Sequence, residues 1–122
     1  MERKLPTENQ EQKALFEWAS FHPICKNYLI AIPNGGYRNK REARNLKLTG
    51  VKSGVSDIFL AYPSNPYHGL WIELKRKRGG RTSDSQNEWL QLMRDQSYCA
   101  EIAKGCDEAI QLINNYLGNN NA

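Results

Sequence analysis

The sequence predicts one α/β domain over residues 1–122, a small mixed central sheet flanked by helices in the order α-β-α-β-β-α-β-α. Three observations carry that prediction. Two capping boxes, Thr7 to Gln10 and Ser83 to Gln86, each open a stretch with helical apolar spacing. Short runs rich in β-formers, at 28–32, 57–62, 70–75 and 98–103, alternate with the helical stretches. Proline, glycine and asparagine punctuate the junctions, and neither an internal repeat nor a linker divides a chain long enough for a single core.

The first helix follows Thr7, runs to about Phe21 with Leu15, Trp18 and Ala19 toward the core, and is stopped by His22-Pro23. The strand at 28–32 ends in Pro33-Asn34-Gly35-Gly36, a turn with two residues free to take positive φ. A basic helix over 39–48 carries Ala43 and Leu46 and closes near Gly50. The strands at 57–62 and 70–75 flank Pro63-Ser64-Asn65-Pro66 and are expected to pair antiparallel. Ser83 starts a helix that should bury Trp89, Leu92 and Met93. A weaker strand at 98–103 leads to a closing helix, 107–117, with Ala109, Ile110, Ile113 and Leu117 on one side and a frayed tail at 118–122.

Composition narrows the function classes. With 39% apolar and 25% charged residues, the chain reads as soluble and globular. No apolar run approaches the roughly 18 residues a membrane span needs. The N-terminus lacks an apolar signal region, so no membrane partner is expected and the cytoplasm is the default location, a host's if the gene is phage-borne. Cys25, Cys99 and Cys106 form no CxxC pair and read as reduced, mostly buried thiols; His22 and His68 stand too far apart for a zinc site. The net charge is only +4, but 11 of 17 basic residues fall in two clusters, one from Arg38 to Lys52 and one from Lys75 to Arg81. Across 38–81 only Glu42, Asp57 and Glu73 oppose them, which points to a phosphate-rich partner. Two solvated surface faces are the bland alternative.

The chemistry concentrates in Gly69-Leu70-Trp71-Ile72-Glu73-Leu74-Lys75. Side chains on a strand alternate, so Glu73 and Lys75 share one face and Ile72 and Leu74 the other. An antiparallel hairpin sets Asp57, at the start of one strand, beside the Glu73–Lys75 end of the next. Two close carboxylates repel unless a proton or cation intervenes. Hard oxygens from Asp57, Glu73 and the Leu74 carbonyl suit Mg²⁺ or Mn²⁺. Lys75 is placed to orient a water and neutralise charge developing on a phosphate.

The pattern Asp57…Glu73-Leu74-Lys75 resembles the D…ExK core of the PD-(D/E)xK nucleases, whose fold is restriction-endonuclease-like. More narrowly, the chain resembles the virus-type replication-repair nuclease (VRR-NUC) family. Besides the carboxylate–lysine strands, the resemblance rests on Pro33-Asn34-Gly35-Gly36, on Gly50 through Leu60, on Ser85-Gln86-Asn87-Glu88-Trp89-Leu90 and on Asp107-Glu108-Ala109-Ile110. Ser56 stands where the family usually has proline, and Ser97 where many members have glycine.

The resemblance implies a metal-dependent DNA endonuclease leaving a 5′-phosphate and a 3′-hydroxyl, with Mg²⁺ or Mn²⁺ held by Asp57, Glu73, the Leu74 carbonyl and a first-helix glutamate. Alignment on Trp18 places that glutamate at Glu8, with Glu11 and Glu17 as rivals. Gln86 is implied beside the lysine and the attacking water; a capping partner alone is the alternative reading of its position. Asn34, Gly35 and Lys52 lie in motif segments and Arg76 and Lys77 adjoin the lysine, which makes these five the candidate DNA contacts. Small stand-alone members are similar to homodimeric Holliday-junction resolvases, so a homodimer on branched DNA is the implied assembly. A flap or nonspecific nuclease, or a noncatalytic nucleic-acid-binding domain, is the alternative. Trp71 and Trp89 read as packing residues before stacking platforms.

Overall fold

The structure is a computed structural model that describes residues 4–33 and 39–118. Its elements are α1 (Glu8–Ala19), α2 (Cys25–Tyr28), β1 (Leu29–Ala31), α3 (Lys40–Leu48), β2 (Ile58–Leu60), β3 (Leu70–Lys75), α4 (Asp84–Asp95), β4 (Cys99–Lys104) and α5 (Cys106–Gly118). The mixed α/β class holds, with one addition. After α1 ends, the His22 imidazole Nδ1 accepts the backbone N–H groups of Ile24 and Cys25, each at 3.1 Å, and starts the one-turn helix α2. The segment that stops α1 therefore begins another turn, and Phe21 lies exposed beyond α1.

The sheet has the order β1-β2-β3-β4. β1 and β2 pair antiparallel, as do β2 and β3, with Ile58 opposite Ile72. β4 runs parallel to β3, with Glu73 beside Ile102 and Lys75 beside Lys104. The return through α4 makes this parallel pairing possible, since parallel neighbours need a crossover.

Alternation sorts the sheet into two faces. Ile58, Leu60, Leu70, Ile72 and Leu74 are fully buried and join Leu15 and Ala19 of α1 and Ala109, Ile113 and Tyr116 of α5 in one core. The opposite face bears Phe59, Trp71 and Glu73 and receives α4: Phe59 stacks on Trp71 at 4.2 Å, and Trp71 meets Trp89 edge to face at 5.2 Å. The two tryptophans bury their indole N–H groups and serve as packing. The burial expected along α4 is corrected: Leu90 is its buried residue, Trp89 and Met93 are half-buried, and Leu92 is exposed. α4 lies on an edge strand, so its apolar stripe is narrower than its composition suggests.

Two departures from the family pattern find their places. Ser97 has φ +66, the left-handed region that glycine occupies at least cost. Ser56, in the proline position, is fully buried and its hydroxyl meets no hydrogen-bond partner among the described residues. Gly118 is the last residue of α5, and residues 119–122 of the expected frayed tail lie outside the described residues. All three thiols are free, and burial raises the pKa of each. Among the described residues no helix is long and apolar enough to cross a membrane.

Candidate active site

Extending the β2–β3 register by one residue sets Asp57 across from Glu73 at one end of the sheet. The Leu74 backbone N–H donates to Asp57 Oδ2 at 3.0 Å, which fixes that carboxylate against β3. Glu73 is 1% exposed and Lys75 9%. Lys75 Nζ lies 3.7 Å from Glu73 Oε2 and donates to Gln86 Oε1 at 3.1 Å. Gln86 Nε2 donates to Glu73 Oε2 at 3.2 Å, so one side chain holds both the acid and the base of the strand.

The other oxygen, Glu73 Oε1, is buried, and among the described residues no N–H or O–H group donates to it. Facing carboxylates are both acceptors when ionised, so they bond only across a proton or a cation. The conflict appears in the titration of Glu73, which is pushed up to about 9. Burial is the main cause, followed by the hydrogen bond and the charge of Asp57; Glu8 adds to the rise and Lys75 opposes it.

Glu8, the first residue of α1, reaches the same end of the sheet. Its pKa is raised by burial and then by Asp57, and lowered by Lys75 and Arg76. The rival Glu11 faces elsewhere. Its Oε1 accepts the Cys106 N–H at 3.1 Å and closes the start of α5. Glu17 is exposed. Sequence carries no local signal for the Glu11 contact, because its partner lies 95 residues away.

Two close approaches hold the site. Gly54 has φ +86, and a Cβ there would sit 2.3 Å from the Ser85 carbonyl oxygen. The loop that delivers Asp57 thus lies directly on the first turn of α4, which carries Gln86. On the far side, a Cβ at Gly80 would lie 3.0 Å from Lys75 Cβ, so the chain after β3 folds back over Lys75.

The candidate DNA contacts divide. Asn34 and Gly35 lie outside the described residues. Arg76 lines a cleft of about 600 Å³ with Leu5, Thr7, Glu8, Arg78 and Gly79, beside the carboxylates. Lys52 is exposed in the loop before β2. Lys77 turns away toward α5, with Nζ 4.0 Å from Asp107 Oδ2.

The acid just before β2, the acid and lysine of β3 and the helix-borne Gln86 thus meet at one end of the mixed sheet. The VRR-NUC domain matches residues 4–107, and the chain belongs to that family. A solved structure described as a VRR_NUC domain protein is 29% identical, covers 94% of this chain and 91% of its own, and superposes with a TM-score of 0.83. No match was found among curated proteins.

Among the described residues no three His, Cys, Asp or Glu side chains form a compact cluster of metal ligands. Asp57 and Glu73 nonetheless suit a divalent cation, since Glu73 Oε1 is buried, takes no N–H or O–H donor among the described residues and is set against a second carboxylate.

Proposed function

We propose that this chain is a divalent-metal-dependent DNA endonuclease that acts as a homodimer on branched DNA, with the Holliday junction as its preferred substrate. The observation that carries the reading is the Asp57–Glu73–Lys75–Gln86 constellation, with Glu73 and Lys75 buried and Glu73 Oε1 set against a second carboxylate. A domain that only coats DNA gains nothing from burying an acid at that cost.

Asp57, Glu73 and the Leu74 carbonyl would hold Mg²⁺ or Mn²⁺, with Glu8 as a further carboxylate. When bound, such an ion polarises the phosphate and lowers the pKa of water. The chain's own groups do the rest. Lys75, fixed by Gln86 and Glu73, hydrogen-bonds the water or a phosphate oxygen and offsets negative charge as the fifth P–O bond forms. Water attacks phosphorus in line, the bond to O3′ breaks, and O3′ takes up a proton; the products are a 5′-phosphate and a 3′-hydroxyl. Gln86 keeps Lys75 from moving with each turnover.

Branched DNA and a dimer draw support from α3. This nine-residue helix has no buried residue and displays Lys40, Arg41, Arg44 and Lys47, with Leu48 80% exposed beside them. A basic helix standing off the body suits a duplex arm, and its apolar residues suit a second copy.

Wild type, Asp57→Asn and Lys75→Ala are to be compared on labelled four-way junction, flap and linear duplex with Mg²⁺, Mn²⁺ or EDTA. The expected result is cleavage by wild type alone, metal-dependent and fastest on the junction, by a protein of dimeric mass in sedimentation. Equal cleavage by all three proteins would end the site assignment. Duplex cut as fast as junction would end the junction preference and leave the nuclease. Salt-sensitive binding with no cutting would make this a binding domain.

A further inference from the structure

A second cleft, of about 400 Å³, opens on the β4 side of Lys75 and is lined by Lys75, Gly80, Arg81, Thr82, Ile102 and Lys104. It differs from the cleft around Arg76, where Glu8 faces the arginines: no carboxylate lines it. Lys75 and Lys104 are register neighbours on adjacent parallel strands, which lie about 4.8 Å apart. Like charges so placed repel. Glu73 and Gln86 compensate Lys75, but among the described residues the Lys104 ammonium and the Arg81 guanidinium form no salt bridge. The nearby Glu108 carboxylate accepts the Lys104 backbone N–H at 3.0 Å, and Glu101 lies 3.9 Å from Arg94.

We propose that this cleft is a phosphate subsite in which Arg81, Lys104 and the Thr82 hydroxyl grip the phosphodiester next to the scissile one. The proposal rests on the nuclease reading for the word scissile; the anion-binding part stands without it. The ligand class follows from the lining. Two uncompensated cations and a hydroxyl converge on a concave spot beside a lysine that faces the reacting phosphate. A DNA strand lying over Lys75 carries its next phosphate about one nucleotide away, on the Arg76 side or on this one. Exposed Ile102, the register neighbour of Glu73, offers the intervening sugar an apolar wall. The subsite is built late in the chain: Arg81 and Thr82 come from the segment folded back over Lys75, and Lys104 from the end of β4.

The test uses Arg81→Gln/Lys104→Gln with Lys13→Gln/Lys26→Gln as a remote control of equal charge loss. Substrates carry one neutral methylphosphonate on either side of the scissile phosphate, and single-turnover rates are compared. Wild type should slow about tenfold or more at one flanking position. The Arg81/Lys104 variant should be slow on the all-phosphate substrate and lose nothing further at that position, while the control follows wild type. A variant that still loses the full factor, or a wild type indifferent on both sides, overturns the proposal. Nicked substrates ending in a phosphate or a hydroxyl at that position separate a strand end from an internal diester. Equal rates support the diester, and a gain confined to the terminal phosphate overturns it.

Binding of a single-stranded oligonucleotide in EDTA gives a readout independent of cleavage. The salt-dependence slope should fall by about 1–2 in the Arg81/Lys104 variant. If wild type cuts no substrate yet the slope falls, the nuclease reading fails and the anion site stands. If wild type cuts and neither slope nor methylphosphonate response changes in the variant, the subsite fails alone.

Discussion

Two helices of this chain begin with the same motif, and only one of the two capping glutamines reaches the Glu73–Lys75 pair. At α1 the Thr7 N–H donates to Gln10 Oε1 at 2.8 Å and the Gln10 N–H to Thr7 Oγ1 at 3.1 Å. At α4 the Ser83 N–H donates to Gln86 Oε1 at 2.8 Å and the Gln86 N–H to Ser83 Oγ at 3.2 Å. Locally the two are the same device. Gln10 stops there, exposed, whereas Gln86 also takes the Lys75 ammonium and holds Glu73. Capping a helix and bonding a buried acid–lysine pair are therefore compatible roles for one glutamine. The capping bond even helps, because it restricts the side chain before it meets Lys75.

The contrast between the two helix starts is widest when the group Gln86 serves is removed. Lys75→Ala should lower kcat by about 10²–10³, measured in single turnover with saturating metal, with DNA affinity nearly intact. The two glutamines come next. Gln86→Ala should lower kcat about tenfold to a hundredfold through a misplaced lysine, while Gln10→Ala leaves it unchanged. Both should lose up to about 1 kcal/mol of stability in chemical denaturation, because both lose the same cap. Equal kcat for the two variants would reduce Gln86 to a cap.

The α4 box differs again in being pinned by the loop that delivers Asp57. Gly54→Ala should cost about 2–3 kcal/mol and lower the cleavage rate, since its Cβ meets the Ser85 carbonyl and its φ is left-handed. The gentlest probe is pH. Because the pKa of Glu73 is raised on folding, the folded metal-free protein holds that proton more tightly than the unfolded chain. That contribution to stability is full below the ordinary carboxylate range and is lost as pH rises toward about 9. In EDTA, the denaturation midpoint should fall between mildly acidic and mildly alkaline pH. Glu73→Gln should flatten the fall, and an added divalent ion should do so too. A wild-type midpoint constant across that range would mean Glu73 is not strained by its neighbours.

Short-range physics made much of this protein legible from its sequence. Both capping boxes, the strand runs, the antiparallel hairpin and the shared face of Glu73 and Lys75 depend on residues a few positions apart. Strand alternation then leads directly to the acid–lysine pair. The family resemblance extended that reading to Gln86 and Glu8. What sequence could not settle depends on contacts made across the fold. Glu8 rather than Glu11 faces Asp57 because Glu11 is drawn to α5, almost the whole chain away. Lys77 is drawn to Asp107, and β4 returns parallel so that Lys104 stands beside Lys75. Local propensity decides which segments become helix or strand. Only the packed sheet decides which charges must share one end of it, because that choice is made by burial and by partners that adjacency along the chain does not specify.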